Sequence, residues 1–246
     1  MLLLYCYNIQ MENNTNQKIT TPVAIIVAGV LIMVGILLTK GGDSVNNTDK
    51  SKTLSEQVGV NKVEFTKCME ETDLQALKDR TDIDAENAMK GIPSTESRGT
   101  PYSVIIGKNG FKTEIRGAYP KESVQKMIAE VNSGSVTNPY DGEINGYQEG
   151  DHIIGNPNAP IIIVEYSDLE CPYCKKFGDV MKEIVSESNG DVAWIYRHWV
   201  VHSTALPKAA AAECVAKIKG NSAFWEYIDL VFNLMDPAPA PVKDNL

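Results

Sequence analysis

Two cysteines in this chain stand at a spacing that supports redox chemistry. Cys171 and Cys174 are separated only by Pro172 and Tyr173, in the sequence CPYC. The thiolate is the attacking species in thiol–disulfide exchange, and a thiol two residues away can resolve a mixed disulfide formed on the first. We therefore expect Cys171 to be the exposed attacking cysteine and Cys174 to be the more buried resolving cysteine.

The residues around this pair predict the elements that position it. Residues 161–166, IIIVEY, form a continuous apolar run, which is typical of a strand at the centre of a sheet. A helix is predicted from Pro172 to about Ser188, and proline suits a first helical position because the missing N–H has no partner there. The positive end of that helix would stabilise a thiolate at Cys171.

A pair of cysteines at this spacing is also half of a zinc site. A zinc site built from cysteines usually needs a second close pair, whereas Cys68 and Cys214 stand alone in the sequence. His198 and His202 are four residues apart, but their segment has the pattern of a strand end and loop. The sequence favours redox chemistry, and we expect neither a metal ion nor an organic cofactor.

Two groups of predicted elements flank a linker. The first group contains a charged helical region, a hairpin around Asn109-Gly110 and an amphipathic helix, within residues 54–131. The second contains the CPYC strand and helix, a further strand and two helices, within residues 151–246. Residues 132–150 are rich in glycine and asparagine and predict a linker. Neither group buries both faces of a sheet alone, so we expect one α/β sheet built from both.

An apolar run near the start of the chain predicts a transmembrane helix. Residues 22–38 carry no charge and, with the flanking threonines, give a span over 20–39, which is long enough to cross a hydrocarbon core. Residues 1–19 are then a cytoplasmic tail, with Met11 as an alternative start, and residues 40–53 a polar tether. A cleaved signal peptide is the main alternative, followed by a buried core helix.

The charge of the chain argues against nucleic-acid binding. Lysine and arginine total 23 and aspartate and glutamate total 32, which gives a net charge of -9. No cluster of basic residues interrupts this acidic background, and such a cluster is the electrostatic signature of a nucleic-acid-binding protein. We expect protein partners instead.

The sequence resembles the DsbA-like thioredoxin-fold oxidoreductases. The run GNPNAPIIIVEYSDLECPYCKKF is similar to the opening of such a domain, FWEYIDLVF to its helical insertion, and RGTPYSVII to its closing portion. The resemblance implies a thiol–disulfide oxidoreductase that acts on protein thiols and disulfides outside the cytoplasm, anchored in the cell membrane, with a separate redox partner that resets the cysteine pair.

The resemblance also assigns roles to individual residues. Thr100 and Pro101 match a cis-proline loop that packs beside the cysteines and contacts substrate. Glu165 matches a buried acid beneath the active site, where it would relay a proton to or from Cys174. Pro172 and Tyr173 match the dipeptide that tunes the redox potential, and we expect them to border bound substrate.

The order of the segments departs from that family. Residues 54–131 carry the closing portion and residues 151–246 the opening portion, so the simplest interpretation is a circularly permuted thioredoxin-like domain joined by the linker. A swapped dimer and a rearranged chain without a folded product remain alternatives. A redox-inactive peptide-binding or chaperone-like module is the alternative function.

Cys68 and Cys214 both fall in the helical insertion of the rejoined domain. Outside the cytoplasm they would form a structural disulfide that ties the two portions together, with a Cα separation of about 4.4–6.8 Å. The alternative is a pair of buried free thiols.

Overall fold

The computed structural model describes residues 52–93, 96 and 98–235. The predicted tail over 1–19, the predicted transmembrane span over 20–39 and nearly all of the tether over 40–53 lie outside these residues. Within the described part of the chain, no helix is both long and apolar enough to cross a membrane.

Seven helices and five strands make up the described residues. The helices are α1 (Leu54–Gln57), α2 (Lys62–Glu71), α3 (Leu74–Ala88), α4 (Lys121–Ser133), α5 (Pro172–Glu187), α6 (Ala205–Lys219) and α7 (Asn221–Asn233). The strands are β1 (Tyr102–Gly107), β2 (Lys112–Arg116), β3 (His152–Ile154), β4 (Ile161–Ser167) and β5 (Val192–His198). The strands and helices predicted within the described residues are present. Strand β3 was not predicted, because three residues are too few to show a periodic pattern.

The five strands form one sheet in the order β2-β1-β4-β5-β3. Strand β4 is central and buried along its whole length, as its apolar run predicts. It pairs in parallel with β5 and antiparallel with β1. Strands from both predicted groups therefore share one mixed sheet. Because β1 and β4 are antiparallel, the residue before β1 and the residues after β4 lie at the same end of the strands.

The core has two layers because helices cover both faces of the sheet. One face carries Ile105, Ile163 and Trp194 and packs against helices that include α4, α5, α6 and α7. The opposite face carries Val164 and Ile195 and packs against the end of α3 and the residues after it. Helices α2 and α3 are only partly buried, since Val63 and Ile83 are exposed.

The predicted linker is shorter than expected and lies against the domain. Helix α4 continues to Ser133 and ends at Gly134, whose φ of 75° is the left-handed conformation that glycine favours. Beyond it, the Tyr140 hydroxyl donates to the Ala88 carbonyl at 2.8 Å, and the Glu143 N–H donates to the Asn87 carbonyl at 3.1 Å. The connection therefore packs along the end of α3.

Two further contacts join the halves of the chain. Cys68 of α2 and Cys214 of α6 form a disulfide with a Cα separation of 5.8 Å, within the expected range. The guanidinium of Arg197, in β5, donates to both carboxylate oxygens of Asp151, at 2.9 and 3.0 Å, and to Asp84 of α3 at 3.4 Å. The predicted disulfide is thus present in the structure.

Candidate active site

Cys171 caps the N-terminus of α5 and lies beneath the Thr100–Pro101 loop. Its carbonyl accepts the N–H groups of Cys174 and Lys175, and Pro172 occupies the first turn as predicted. The Thr100–Pro101 peptide bond is cis, and the Cys171 thiol donates to the Thr100 carbonyl at 3.3 Å. The structure therefore brings together, within one chain, the two segments that the sequence places 70 residues apart.

The expectation that Cys171 is exposed is wrong. Its exposed fraction is 4%, against 0% for Cys174. The reason is the loop before β1, which covers the thiol and accepts its hydrogen bond. The order of the two cysteines is as expected, but Cys171 must be uncovered at least in part before a bulky substrate sulfur reaches it.

The two free thiols have opposite pKa shifts. The pKa of Cys171 is lowered to about 6, mainly by the neighbouring Cys174 thiol, with Thr100 and the backbone N–H groups at the start of α5 acting in the same direction and burial opposing them. Burial raises the pKa of Cys174 well above its usual value, and the nearby Cys171 and Glu165 raise it more. At neutral pH, Cys171 is therefore the thiolate and Cys174 retains its proton.

Glu165 lies beneath the cysteine pair and is completely buried. Its Oε2 accepts one hydrogen bond, from the indole N–H of Trp194 at 3.0 Å, and its Oε1 has no partner. Burial raises the pKa of Glu165 to about 8, although Trp194 and the nearby Ser167 hydroxyl oppose the rise. A carboxyl group with this pKa is suited to exchange a proton near neutral pH.

Asp168 is a site residue that sequence reasoning missed. Its N–H donates to the Cys174 sulfur at 3.5 Å. Its carboxylate accepts N–H groups from Glu170 at 2.7 Å, Val201 at 2.7 Å and His202 at 2.9 Å. The bond to Glu170, two residues on, is an Asx turn, and an aspartate just before a helix is the sequence signal that suggests one. Asp168 therefore holds the loops on either side of the cysteine pair together.

Two exposed apolar side chains lie on the segments that flank the cysteine pair. Tyr173 and Val201 are 42% and 45% exposed, and Val200 beside them is buried. Tyr173 is therefore accessible to solvent, and its predicted contact with substrate stays a prediction. Among the residues that the structure describes, no three His, Cys, Asp or Glu side chains are placed to hold a metal ion together.

Part of the chain is similar to known proteins. The sequence profile of the family described as Thioredoxin matches residues 147–242, which include the CPYC motif. No solved structure matches the chain.

Several sodium/proton antiporters contain a similar segment. The Na(+)/H(+) antiporter NhaA 1 of Mycolicibacterium gilvum is 34% identical over 91 residues, covering 36% of this chain and 14% of the antiporter. NhaA 3 of Salinispora tropica is 37% identical over 89 residues, covering 35% and 13%. NhaA of Herminiimonas arsenicoxydans is 32% identical over 131 residues, covering 53% and 18%. The matched segment is thus less than a fifth of each of these antiporters.

The range of the profile match corresponds to elements of the observed structure, including strands of the mixed sheet and the CPYC helix. The profile match begins just before β3 and continues past α7. The matched region carries a thioredoxin-like domain, which has the fold and the cysteine pair of proteins that perform redox or disulfide chemistry.

Proposed function

We propose that this protein is a DsbA-like thiol–disulfide oxidoreductase that acts on protein substrates. The observation that carries the proposal is the pairing of a low-pKa thiol at a helix N-terminus with a buried high-pKa thiol, directly beneath a cis-proline loop. A structural cysteine pair has no need of this asymmetry, whereas exchange requires one ready nucleophile and one protonated resolving thiol.

The reaction follows from these positions. The Cys171 thiolate attacks a substrate disulfide, so a mixed disulfide forms and one substrate sulfur leaves as a thiolate. Cys174 then loses its proton to the ionised form of Glu165 and attacks the Cys171 sulfur. The Cys171–Cys174 disulfide forms, and the second substrate sulfur leaves with the electron pair. In the opposite direction a substrate thiolate attacks oxidised Cys171, and Cys174 leaves and takes the proton from Glu165.

The loop before β1 would hold the substrate during this exchange. The Thr100 carbonyl lies 3.3 Å from the Cys171 sulfur, so a substrate sulfur bonded to Cys171 must pass beside Thr100 and Pro101. Tyr173 and Val201 provide exposed apolar surface on the open side. We propose that these residues bind an extended or unfolded segment of a protein substrate.

We further propose that the domain is a circular permutant anchored outside the cytoplasm by residues 20–39. Support for the permutation comes from β1, which precedes β4 by more than 50 residues and yet lies directly beside it in the sheet. Support for the location comes from the Cys68–Cys214 disulfide, since such bonds persist in oxidising compartments. The similar segments within antiporters are consistent with a membrane setting. An unidentified redox partner would reset the cysteine pair.

The test is disulfide exchange by the full-length chain with a reduced or oxidised unfolded protein. Wild-type protein should equilibrate with a glutathione buffer at Cys171–Cys174 and exchange disulfides with the substrate. Cys171→Ser should abolish exchange, and Cys6→Ser, the same change at a cysteine outside the site, should leave it intact. A redox-inactive binding module would instead bind the unfolded protein equally well with either variant and show no exchange in the wild type.

A further inference from the structure

Four buried polar atoms on one face of the sheet, around Glu165, have no hydrogen-bond partners. They are Ser103 Oγ, Glu165 Oε1, Ser167 Oγ and the Tyr196 hydroxyl. Ser103 and Tyr196 stand opposite Glu165 on the two neighbouring strands, and Ser167 follows Glu165 by two residues on the same face of β4. Each of the four residues is at most 1% exposed.

An unpartnered buried hydroxyl destabilises a protein, and most buried polar atoms are paired. The same sheet contains a contrasting case on its other face. The hydroxyl of Tyr102 is also buried, and it donates to the Glu114 carboxylate at 2.7 Å. The cluster around Glu165 therefore retains an unfavourable arrangement that ordinary packing would remove, and it does so next to the reacting thiol.

Ser167 directly precedes a residue that contacts the resolving thiol. The N–H of the next residue, Asp168, donates to the Cys174 sulfur at 3.5 Å. Burial raises the pKa values of Cys174, Glu165 and Tyr196, and the Ser167 hydroxyl opposes the rise in all three. Ser167 therefore lies close to the thiol that must lose a proton, to the carboxyl that must accept it and to Tyr196.

We propose that Ser167 and Tyr196 are positioning residues that hold the transferred proton between the Cys174 thiol and the Glu165 carboxyl. This inference rests on the oxidoreductase function proposed above. In the resolving step the Cys174 proton passes to Glu165, the Cys174–Cys171 bond forms and the bond from Cys171 to the leaving sulfur breaks. The two hydroxyls, unpartnered while Glu165 is protonated, donate to the Glu165 carboxylate when it ionises and so hold it ready to accept the Cys174 proton.

Reaction with an aromatic disulfide separates the two chemical steps. The full-length chain, reduced at Cys171–Cys174 and carrying Cys6→Ser, is mixed with dithiobis(nitrobenzoate). Attack by Cys171 releases one equivalent of thionitrobenzoate at a rate that depends on reagent concentration. Resolution by Cys174 releases a second equivalent at a rate that does not. The two phases are followed from pH 5 to 9 for each variant.

We expect Ser167→Ala and Tyr196→Phe each to slow the second release about tenfold and to shift its pH profile, with the first release unchanged. Because both residues act through Glu165, neither change should slow the second release further in a Glu165→Gln background. Tyr227→Phe removes another buried tyrosine hydroxyl, in α7, and should change neither phase. Both site variants should unfold at or above the wild-type temperature, since neither hydroxyl has a partner to lose.

Three results would overturn the inference. The first is a second release that is as fast in both variants as in the wild type. The second is a slowing by either change in the Glu165→Gln background that equals its slowing in the wild-type background. The third is a loss of folding in Ser167→Ala, which would assign the hydroxyl a structural role. Absence of the second phase in the wild type would instead contradict the proposed function. The two failures are therefore distinguishable in one experiment.

Discussion

Glu165 and Asp168 are two buried carboxyl groups three residues apart, and their surroundings differ sharply. The Asp168 carboxylate accepts three backbone N–H groups and lies 3.2 Å from Nδ1 of His202. The Glu165 carboxyl accepts one indole N–H and leaves its other oxygen unpaired. Both residues are essentially inaccessible to solvent, so burial alone does not explain the difference.

The comparison separates an acidic residue with a structural role, Asp168, from one suited to proton transfer, Glu165. Backbone N–H groups bonded to a carboxylate stabilise its charged form and hold the segments that supply them. A buried carboxyl with few donors has no such preference for the charged form, and it is able to take up and release a proton. In this molecule the first arrangement holds the loops around the cysteines, and the second lies beneath the thiol that must change its protonation state.

Asp168→Ala tests the structural side of the comparison and should have the largest effect on folding. Three buried N–H groups lose their acceptor, and each such loss costs about 1–3 kcal/mol. We expect the free energy of unfolding to fall by about 3 kcal/mol or more, measured by chemical denaturation. Asp168→Asn keeps one acceptor oxygen, so its free energy of unfolding should lie between those of the alanine variant and the wild type. Equal stability of the alanine variant and wild type would contradict the assignment.

Glu165→Gln tests the chemical side. Removal of the proton acceptor should slow resolution of a Cys171 mixed disulfide by about 100-fold, the size typical of general acid–base catalysis. Attack by Cys171 should remain within about twofold, because its thiolate is stabilised mainly by Cys174 and the helix N-terminus. The two phases of thionitrobenzoate release measure both steps. If attack and resolution slowed to the same extent, Glu165 would instead have a structural role in the site.

The same variant should also change how stability depends on pH. The pKa of Glu165 is raised from 4.5 to about 8 on folding, so between these values the folded state binds more protons than the unfolded state. The free energy of unfolding therefore falls as pH rises through this window, by up to about 1.4 kcal/mol per pH unit. Burial lowers the pKa of His198 from 6.5 to about 4, which gives the opposite slope at lower pH.

The contribution of Glu165 is isolated by subtraction. The difference in unfolding free energy between Glu165→Gln and wild type should grow from pH 5 to pH 8 in favour of the variant, while the His198 contribution cancels. Denaturant unfolding at each pH measures it. A difference that stays constant over this range would mean that Glu165 is not held protonated by burial.

His202→Ala should have the smallest effect. The imidazole contacts Asp168, but its side chain is 43% exposed, and ion pairs of this kind contribute less than about 1 kcal/mol. The His202 N–H, which also binds Asp168, remains in the variant. Denaturant unfolding should therefore show a small change beside that of Asp168→Ala, and a comparable loss would mean that the side chain and not the backbone holds Asp168.

The elements and the cysteine pair were predictable because they depend on local pattern. The apolar run of β4, the Asn-Gly hairpin and the proline after Cys171 each have a direct conformational meaning. The contact between Thr100 and Cys171 was expected only from family resemblance, since nothing in local spacing brings these residues together. The exposure of Cys171 was predicted wrongly because the loop that covers it is distant in sequence, at Thr100.

The polar residues around Glu165 were not predictable in the same way. Ser103, Ser167 and Tyr196 have no shared spacing in the sequence, and they become neighbours only through the register of β1, β4 and β5. A serine or tyrosine inside a strand is ordinarily read as packing or as a surface residue. Asp168 carried a turn signal, but its partners Val201 and His202 lie more than 30 residues further along the chain.

The Cys68–Cys214 bond affects what happens when a protease cleaves the chain. It joins α2 to α6 across 146 residues of sequence, and the loop over 134–151 lies between its two ends. A protease that cut the backbone anywhere within that loop would release no fragment, because the crosslink and the interleaved strands would hold both pieces in register. The two fragments could dissociate only after a reductant had opened this bond.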